Sequence, residues 1–336
     1  MASRPRPTLK SIAARLGVST STVSRALNGQ GKAHRISEPT QRAVREVALE
    51  LGFAPSLLAR SLRLKKTATL GLVIPDVSNP FFAEIAHEVA VSARDYGYSI
   101  ALCDSQEQTA LEVESLEALA RWQVEGLLVC PVGRSSEHFR AWERSGTPVV
   151  AIDRIPHGCQ IPAVASDNCG GARHATRYLL DNGHRRIACI QGARATSSNE
   201  ERAAGYREAL AERGVEIDER LIVGDSFLED SGYRAMRRLL RSRRRPTAVF
   251  AFGNLLTLGV IRALNEAGLV IPEDISVVGF DDHPYADHLA TPLTTVAQDC
   301  PAMAQQAFAL LRETLGSGRP AGSAAGSPPG SNSGTP

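Results

Sequence analysis

The sequence predicts an α/β protein in which a three-helix head precedes two subdomains that are each built on a parallel sheet. Three observations predict this fold. The first 66 residues are strongly basic and contain three short helical patterns. From Thr69 onwards, short apolar runs alternate with amphipathic segments. At 336 residues, 43% of them hydrophobic and 22% charged, the chain is long enough for two or three domains with sizeable cores.

The positive charge of the chain is concentrated in its first part. Residues 1–66 contain 13 Lys or Arg and 3 Asp or Glu, a net charge of +10, and no acidic residue precedes Glu38. Because the whole chain carries +2, the remaining residues carry −8. A basic head of this kind favours a polyanion, since arginine and lysine release condensed counterions when they neutralise phosphates. On charge alone, a solvated basic arm without a partner is the alternative.

Three helices are predicted in this head from apolar residues at helical spacing, each with a capping hydroxyl before it. The segments, written from their caps, are Thr8 to Leu16, Ser19 to Leu27 and Ser37 to Leu51, with stop signals at Gly17, Asn28–Gly29 and Gly52. A glycine-centred turn between the first two helices is typical of a helix-turn-helix module.

The second helix, in the stretch GVSTSTVSRALNG, is rich in hydroxyl side chains, which are only moderate helix formers. In a helix-turn-helix module this helix enters the major groove N-terminus first, where short polar side chains approach phosphates and base edges. We expect Thr20, Ser21 and Arg25 to contact bases, and Thr22 and Ser24 to lie nearer to phosphates. The alternative is a polar solvent face on a small helical bundle.

Residues TLKSIAARLGVSTSTVSRALNG (8–29) closely resemble the start of the LacI/GalR family of bacterial transcription regulators. The resemblance continues through GFAPSLLARSLR, LGLVIPDVSNPFFAEIAHEV, VVGFDD and PLTTVAQD, so it covers the chain from Thr8 to about Leu315. It implies a cytoplasmic homodimer, or a higher oligomer, that binds double-stranded operator DNA under the control of a small effector. The candidate DNA contacts are Thr8, Ser19, Thr20, Ser21, Thr22, Ser24, Arg25, Asn28 and Arg35 in the head, and Ala59, Arg60 and Leu62 after it.

One segment of the head indicates which branch of the family the chain resembles most. Family members usually run from NGKG to VSEET, whereas this chain reads NGQGKAHRISEPT and is about three residues longer by the spacing of its motifs. A similar extension occurs in the fructose repressor and catabolite repressor-activator branch, which makes this branch a candidate.

The stretch PSLLARSLR (55–63) follows the head and has leucines at helical spacing. Its length is below the ~12 to 15 residues at which isolated helices become marginal. The resemblance assigns it the hinge helix, which pairs with its copy in the minor groove, and Leu62 matches the leucine that is inserted between base steps to kink the DNA. We expect this hinge to order only on DNA binding. The alternative is a linker whose leucines pack on the body.

The remaining sequence, which we call the body, alternates predicted strands and helices, as in parallel sheets joined by right-handed crossovers. The predicted strands are 70–75, 98–103, 126–131, 148–153, 186–191, 248–253 and 275–281, and the helices include 81–96, 110–122, 171–183, 200–213, 230–242 and 255–268. The resemblance implies two Rossmann-like subdomains of the periplasmic-binding-protein type, divided near Ser166, with the chain crossing back near residues 290–295. A cleft between them is the expected ligand site, because ligands bind beyond the carboxyl ends of parallel strands.

Polar residues follow several of these strands and are the candidates for binding the effector. The resemblance aligns seven residues with effector contacts, and Arg154 beside Asp153 adds an eighth: Ser78, Phe81, Asp153, Arg154, Ser198, Arg202, Asp281 and Gln298. Carboxylates accept hydrogen bonds from sugar hydroxyls, while guanidinium groups bind carboxylate or phosphate as a fork. Each residue alone is equally well explained as a surface ion pair or a strand-end cap. At Gly253 and Asn254, relatives often have Asn and Asp, so this chain departs from the family in the loop that usually contacts the ring or base of the effector.

Several arginines point to the class of effector. Arg154, Arg202 and Arg194 together provide cationic density that a phosphorylated sugar needs and a neutral sugar does not. Combined with the extended head, this density favours a fructose phosphate.

Other signals indicate no metal, cofactor or catalysis. The cluster DDHPYADH (281–288) matches no metal-ligand spacing, and the chain has no GxSxG or Walker motif. The run RRLLRSRRRP (237–246) ends a predicted helix, where cations favour the helix dipole. No apolar run reaches membrane-spanning length. The Gly/Ser/Pro-rich end of the chain lacks bulky apolar residues and is expected to be disordered.

The sequence therefore predicts four regions in a transcription regulator, most simply a repressor, that is not an enzyme. They are a DNA-binding domain (1–54), a hinge helix and linker (55–66), an effector-binding and dimerisation domain (67–316) and a disordered tail (317–336). The competing hypothesis is a sugar-binding protein of a transporter, or an enzyme, on the same scaffold. Export would require a signal sequence, and Met1 to Pro7 offers none.

Overall fold

The computed structural model describes residues 7–53, 67–133, 136–158, 160–282, 286–289 and 291–317. The chain divides into two units whose boundary lies between Thr67 and Ala68. Within the described ranges, no helix combines the length and the apolar character that a membrane span requires.

Residues 7–53 of the first unit contain three helices, α1 (Leu9–Leu16), α2 (Thr20–Leu27) and α3 (Glu38–Glu50). The hydroxyl of each preceding residue, Thr8, Ser19 and Ser37, accepts a hydrogen bond from a backbone N–H of the first turn, as the sequence predicts. Gly17 ends α1 with φ of 65°, a left-handed conformation that glycine adopts without steric cost. The turn that follows is therefore built by local sequence.

A small apolar core holds these three helices together. It consists of two fully or nearly buried residues from each helix, namely Ile12, Ala13, Val23, Ala26, Val44 and Ala48. Between α2 and α3, the Gln41 side chain donates a hydrogen bond of 2.8 Å to the Ile36 carbonyl, which fixes the longer connection against α3. The polar face of α2 is thus left outside the core.

The second unit contains two five-stranded parallel sheets. The first sheet has the order β2-β1-β3-β4-β5 and the second β10-β9-β8-β6-β7. The strands are β1 (Thr69–Ile74), β2 (Ser99–Asp104), β3 (Leu127–Val129), β4 (Val149–Ile152), β5 (Ala163–Val164), β6 (Ile187–Ile190), β7 (Ile222–Val223), β8 (Ala248–Ala251), β9 (Ser276–Phe280) and β10 (Thr294–Val296). Their apolar runs are continuous because helices cover both faces of a parallel sheet.

Eight helices of the second unit cover these sheets. They are α4 (Pro80–Asp95), α5 (Thr109–Arg121), α6 (Glu137–Ser145), α7 (Asn168–Asp181), α8 (Ser197–Glu212), α9 (Glu229–Leu240), α10 (Asn254–Glu266) and α11 (Cys300–Ser317). Residues of β1 alternate between the two faces of the first sheet, with Leu70, Leu72 and Ile74 in one core and Val73 in the other.

The last helix returns to the first subdomain. Residues of α11, including Phe308 and Leu311, pack in the same core as α4 and β1. Because β10 pairs with β9 in the second sheet, the chain returns to the first subdomain after Val296. The second subdomain is thus inserted into the first.

Close backbone packing joins the helices of the second subdomain in pairs. A Cβ atom at Gly259 of α10 would overlap the Glu229 carbonyl oxygen, and one at Gly205 of α8 would overlap the Cys169 carbonyl oxygen. Only glycine permits such a short distance between two helix backbones.

The predicted fold class is confirmed, and the described residues contain three strands and two α-helices that the prediction did not list. Strands β5, β7 and β10 have two or three residues each, too few for a periodic pattern. Helix α6 buries only Phe139 and Trp142, so few apolar residues mark it in the sequence. Helix α11 lies after 255–268, the last helix that the prediction listed.

Candidate functional site

A polar cleft lies between the two subdomains of the body, beyond the carboxyl ends of the parallel strands. It is lined by residues of both subdomains: Asn79, Phe81, Phe82, Asp153, Arg154, Ser198, Arg202, Phe227, Gly253, Asn254, Asp281 and Gln298. Seven of the eight predicted effector residues are among them. The eighth, Ser78, is exposed, and its hydroxyl donates to Asp76 at 2.6 Å, while its neighbour Asn79 faces the cleft.

Two aspartates occupy corresponding positions in the two subdomains. Asp153 follows β4 and Asp281 follows β9, and their backbone φ angles are 66° and 67°. The left-handed conformation costs most residues roughly 1–2 kcal/mol, although Asp and Asn tolerate it better than others. Both side chains are buried. The backbone is therefore held in an unusual conformation at the two points where carboxylates enter the cleft.

The charge of Arg154 is already paired. Its guanidinium donates two hydrogen bonds to the Glu107 carboxylate, at 2.8 and 2.7 Å, and lies over the rings of Phe82 and Phe227 at 5.6 and 5.1 Å. Arg154 is 4% exposed, so this fork is removed from solvent. A buried bidentate pair of this kind leaves little positive potential for a ligand.

Arg202 is held in a comparable way. Its Nε donates to Asn168 Oδ1 at 2.8 Å and its Nη1 to the Phe252 carbonyl at 2.5 Å, while Nη2 lies 3.8 Å from Asp281 Oδ1. The guanidinium stacks 3.6 Å above the Phe280 ring. These contacts fix Arg202 as a rigid wall of the cleft.

Three buried polar atoms at the cleft have no hydrogen-bond partner among the described residues. They are Asp153 Oδ1, Arg154 Nε and Gln298 Oε1. The amide nitrogen of Gln298 donates to Asp281 at 2.5 Å, which turns its oxygen away from that carboxylate. Two acceptors and one donor are thus left unsatisfied, and buried polar groups without partners are rare and costly.

Burial has the largest effect on the pKa of Asp153. It raises the pKa of Asp153 from 3.8 to about 6, although Arg154 and Arg202 oppose the shift. The nearby negative charges of Asp281 and Glu107 raise it further. The side chain is therefore an ionised acceptor at neutral pH and a neutral donor in mild acid.

Direct contacts join the two walls of the cleft. Asn254 Nδ2 donates to Asn79 Oδ1 at 2.7 Å, and the Ile155 N–H donates to Ser197 Oγ at 2.8 Å. The space enclosed between the walls is about 20 Å³, close to the volume that one water molecule needs. The cleft is therefore narrow in this arrangement of the two subdomains.

The head presents the polar face of α2. Thr20, Ser21 and Arg25 are exposed, whereas Thr22 and Ser24 are partly buried. Ser19 Oγ accepts the Thr22 N–H at 3.0 Å and lies 2.7 Å from the Ser21 hydroxyl, so the first turn is ordered by its own side chains.

Three further predicted DNA contacts of the head are also placed by the structure. Thr8 Oγ1 caps α1 by accepting the Ser11 N–H at 3.3 Å, and Asn28 ends α2 with its side chain bonded to the Ser24 carbonyl at 2.5 Å. Arg35 is exposed in the turn before α3, with φ of 53°. The three hinge candidates, Ala59, Arg60 and Leu62, lie outside the described residues.

Four residues that shape the cleft are not among the predicted effector contacts. Phe82 and Phe227 supply aromatic faces, Glu107 pairs with Arg154, and Asn79 bridges to the other subdomain. Phe82 is next to the predicted Phe81 in the sequence, so its place in the cleft could have been predicted from that neighbour. Arg194, which the sequence added to the cationic residues, is absent from the residues described as lining the cleft and lies beside Gln191.

A helix-turn-helix head followed by a two-subdomain α/β body with a polar cleft defines a class, the ligand-responsive transcription regulators. Residues 8–56 match the family described as bacterial regulatory proteins, lacI family, and residues 176–330 match the periplasmic binding protein-like domain. The chain is 38% identical over 324 residues to the transcriptional regulator CelR of Thermobifida fusca, covering 94% of each chain. It is 37% identical over 292 residues to the ribose operon repressor of Escherichia coli K12, covering 87% of this chain and 88% of that protein. The chain belongs to the LacI family of bacterial regulatory proteins.

Solved structures agree with this fold. A CelR–cellobiose complex has a TM-score of 0.69 at 35% identity, covering 93% of this chain and 94% of that one. A lac repressor dimer bound to operator and the anti-inducer ONPF has a TM-score of 0.81 at 24% identity, covering 94% of each chain. The predictions of family, and of a regulator rather than an enzyme, are confirmed by these relatives.

Proposed function

We propose that this chain is a cytoplasmic, homodimeric repressor that binds operator DNA and senses an uncharged sugar in its cleft. Residues 1–54 contact DNA, 55–66 form the hinge, and 67–316 bind the effector and dimerise. The observation that carries the choice of effector is the set of unsatisfied atoms, Asp153 Oδ1, Arg154 Nε and Gln298 Oε1.

The DNA-binding part rests on the head. Its net charge of +10 over residues 1–66 favours phosphates, and the exposed hydroxyls and Arg25 of α2 suit base edges in the major groove. Two relatives are named as operon repressor and transcriptional regulator. One recognition helix reads only a half-site, so a two-fold symmetric dimer reads a palindromic operator. A protein that acts on the chromosome works in the cytoplasm of a bacterium.

The charges of the cleft favour a neutral ligand. Three carboxylates, Glu107, Asp153 and Asp281, lie beside two guanidinium groups, so this cluster carries a net negative charge when Asp153 is ionised. A phosphate would add negative charge and can only accept hydrogen bonds in its dianionic form. It would therefore face two unsatisfied acceptors.

A sugar satisfies the same atoms. Hydroxyl groups can donate to Asp153 Oδ1 and Gln298 Oε1 and accept from Arg154 Nε. The rings of Phe82 and Phe227 line the same space and suit the apolar faces of a pyranose. Cellobiose is bound in the CelR complex, which is consistent with this class.

The fructose phosphate indicated by the sequence depended on free cationic charge. Because Glu107 occupies the fork of Arg154, that charge is not available, and the geometry argues against a phosphorylated effector.

Isothermal titration with the full chain tests this proposal. The panel contains neutral mono- and disaccharides, including cellobiose and ribose, with fructose 1-phosphate as the charged competitor. We expect a neutral sugar to bind and Gln298→Ala to weaken it, whereas Ser78→Ala, which changes an exposed hydroxyl, leaves binding unchanged. Binding of fructose 1-phosphate without binding of any neutral sugar overturns the choice of effector.

A second experiment tests the DNA-binding part. The full chain is used to select duplexes from a random-sequence pool, and the binding of the selected duplex is measured at several salt concentrations. We expect symmetric sites and a steep decrease in affinity with salt. A chain without residues 1–66 is expected to bind sugar but no DNA, and equal DNA binding by both chains refutes the assignment.

A further inference from the structure

The point where the chain enters the body is fixed by one carboxylate. The N–H of Ala68 donates to Glu125 Oε1 at 2.7 Å, and the Ala68 carbonyl accepts the Ser99 N–H at 2.9 Å. Glu125 in turn donates its own N–H to the Thr69 carbonyl at 2.8 Å. The first residues of the body are therefore bonded to two separate strand ends.

The conformation of Ala68 makes this arrangement unusual. Its φ of 49° lies in the left-handed region, which costs alanine roughly 1–2 kcal/mol because of its Cβ atom. Such a conformation persists only where surrounding contacts impose it. The Ala68 N–H donates to the Glu125 carboxylate. This hydrogen bond therefore helps to hold Ala68 in its left-handed conformation.

Glu125 is itself held by the core of the first subdomain. The Tyr98 hydroxyl lies 3.5 Å from Glu125 Oε2, and burial together with the charge of Glu125 raises the pKa of Tyr98, so it remains a donor. The next residue, Gly126, packs against Leu311 of α11, which is fully buried. The carboxylate is thus attached to a rigid part of the body.

We propose that Glu125 is a positioning residue that sets the direction in which the chain leaves the body towards the head, and so transmits the state of the cleft to DNA binding. This inference rests on the proposed function. A ligand at one site affects another only through an element whose arrangement both sites share. A connection that rotates freely at Ala68 would not transmit a movement of the first subdomain.

The test compares three variants of the full chain: Glu125→Ala, Glu125→Gln and Glu117→Ala. The DNA probe is the duplex selected with the wild-type chain. We expect Glu125→Ala to weaken duplex binding by about tenfold, which is within the usual range of coupling between two sites. Glu125→Gln keeps an acceptor for the Ala68 N–H and should bind within about twofold of wild type.

Glu117→Ala is the matched control. Glu117 lies on the same subdomain, and its side chain is 66% exposed beside Arg121 at 3.8 Å. Exposed pairs of this type contribute little, so its duplex affinity should stay within about twofold of wild type. Denaturant unfolding of each variant is the second readout. A merely structural role would lower stability and DNA affinity together, whereas a positioning role lowers DNA affinity at unchanged stability.

If Glu125→Ala does not fold, amide exchange of the wild-type chain tests whether the Ala68 N–H is held by Glu125. We expect the Ala68 N–H to exchange as slowly as the amides of β1. Exchange at the rate of an unstructured peptide overturns the proposal, as does wild-type duplex affinity in Glu125→Ala. If the wild-type chain selects no duplex at all, the proposed function fails, and the exchange rate still tests the anchor separately.

Discussion

Replacing Asp153 by asparagine should stabilise the body at neutral pH while weakening sugar binding, because the charged acceptor becomes a neutral one. Asp153 is 4% exposed, and burial raises its pKa from 3.8 to about 6 in spite of Arg154 and Arg202. The attraction of both arginines is already included in that pKa. The folded protein therefore holds the protonated acid more tightly than the unfolded chain does, and an amide resembles that neutral form.

The size of the effect follows from the shift. A pKa that is raised by about 2 units corresponds to about 3 kcal/mol of unfolding free energy, at 1.36 kcal/mol per unit. The contribution of the protonated Asp153 to the unfolding free energy is fully present below pH 3.8 and is lost as the pH rises through about 6. Asp153→Asn should therefore gain up to about 3 kcal/mol at pH 7.5, and the gain should disappear near pH 4. Asparagine also tolerates the φ of 66° at this position.

Urea unfolding at several pH values between 4 and 7.5 measures this gain. Both tryptophans of the chain, Trp122 and Trp142, lie in the body, so their fluorescence reports on the body alone. Isothermal titration with the sugar identified above measures the weakening of binding.

Asp218 provides a control, because its pKa is shifted in the opposite direction to that of Asp153. Hydrogen bonds from Arg220 and Arg186 lower the pKa of Asp218, so its contribution is present at neutral pH and is lost as the pH falls. Asp218→Asn should therefore destabilise the body at pH 7.5 and have less effect in acid. If Asp153→Asn is less stable than wild type at pH 7.5, or if its stability difference does not vary with pH, the account of this carboxylate is refuted.

Three further predictions concern packing, specificity and charge. Gly259→Ala should lower the unfolding free energy by about 1–3 kcal/mol in urea, because the added Cβ has no room between α9 and α10. Thr20→Ala should lower affinity for the selected duplex by about 1–3 kcal/mol while leaving affinity for random DNA nearly unchanged, as measured by competition binding. Glu107→Gln should let Arg154 bind an anion, so calorimetry should detect fructose 1-phosphate binding that the wild type lacks.

Each of these predictions has its own control. Gly316→Ala, in a helix with open space around the Cβ position, should be neutral or slightly stabilising. An equal loss for selected and random DNA in Thr20→Ala would mean that this residue contacts phosphate rather than bases. If Glu107→Gln shows no phosphate binding, the pairing of Arg154 is not what excludes charged ligands.

Local features were the easiest to predict from sequence. Thr8, Ser19 and Ser37 cap the helices that follow them, because the signal and the contact lie within three residues of each other. Asp153 and Asp281 were predictable because a polar residue directly after a buried parallel strand lies at the edge where ligands bind.

Long-range contacts were not predictable in this way. Glu107 lies 47 residues from Arg154, and Asn79 lies 175 residues from Asn254, so no spacing links the partners. The pairing with Glu107 changes the expected ligand, since it converts an apparent cation into a neutral pair. Charge counted along the sequence does not reveal which arginines are already paired.

The return of the chain to the first subdomain has a consequence for its synthesis. The core formed by β1 and α4 is closed by Phe308 and Leu311 of α11, after the whole second subdomain has been made. At ~5–20 residues per second, the ribosome needs roughly 7 to 27 s to pass from the end of β5 to the start of α11. At the end of this interval the second subdomain has all of its strands and can fold, whereas the apolar strands of the first subdomain still lack their last helix. The growing chain is therefore most exposed to aggregation and to chaperones just before its final helix emerges.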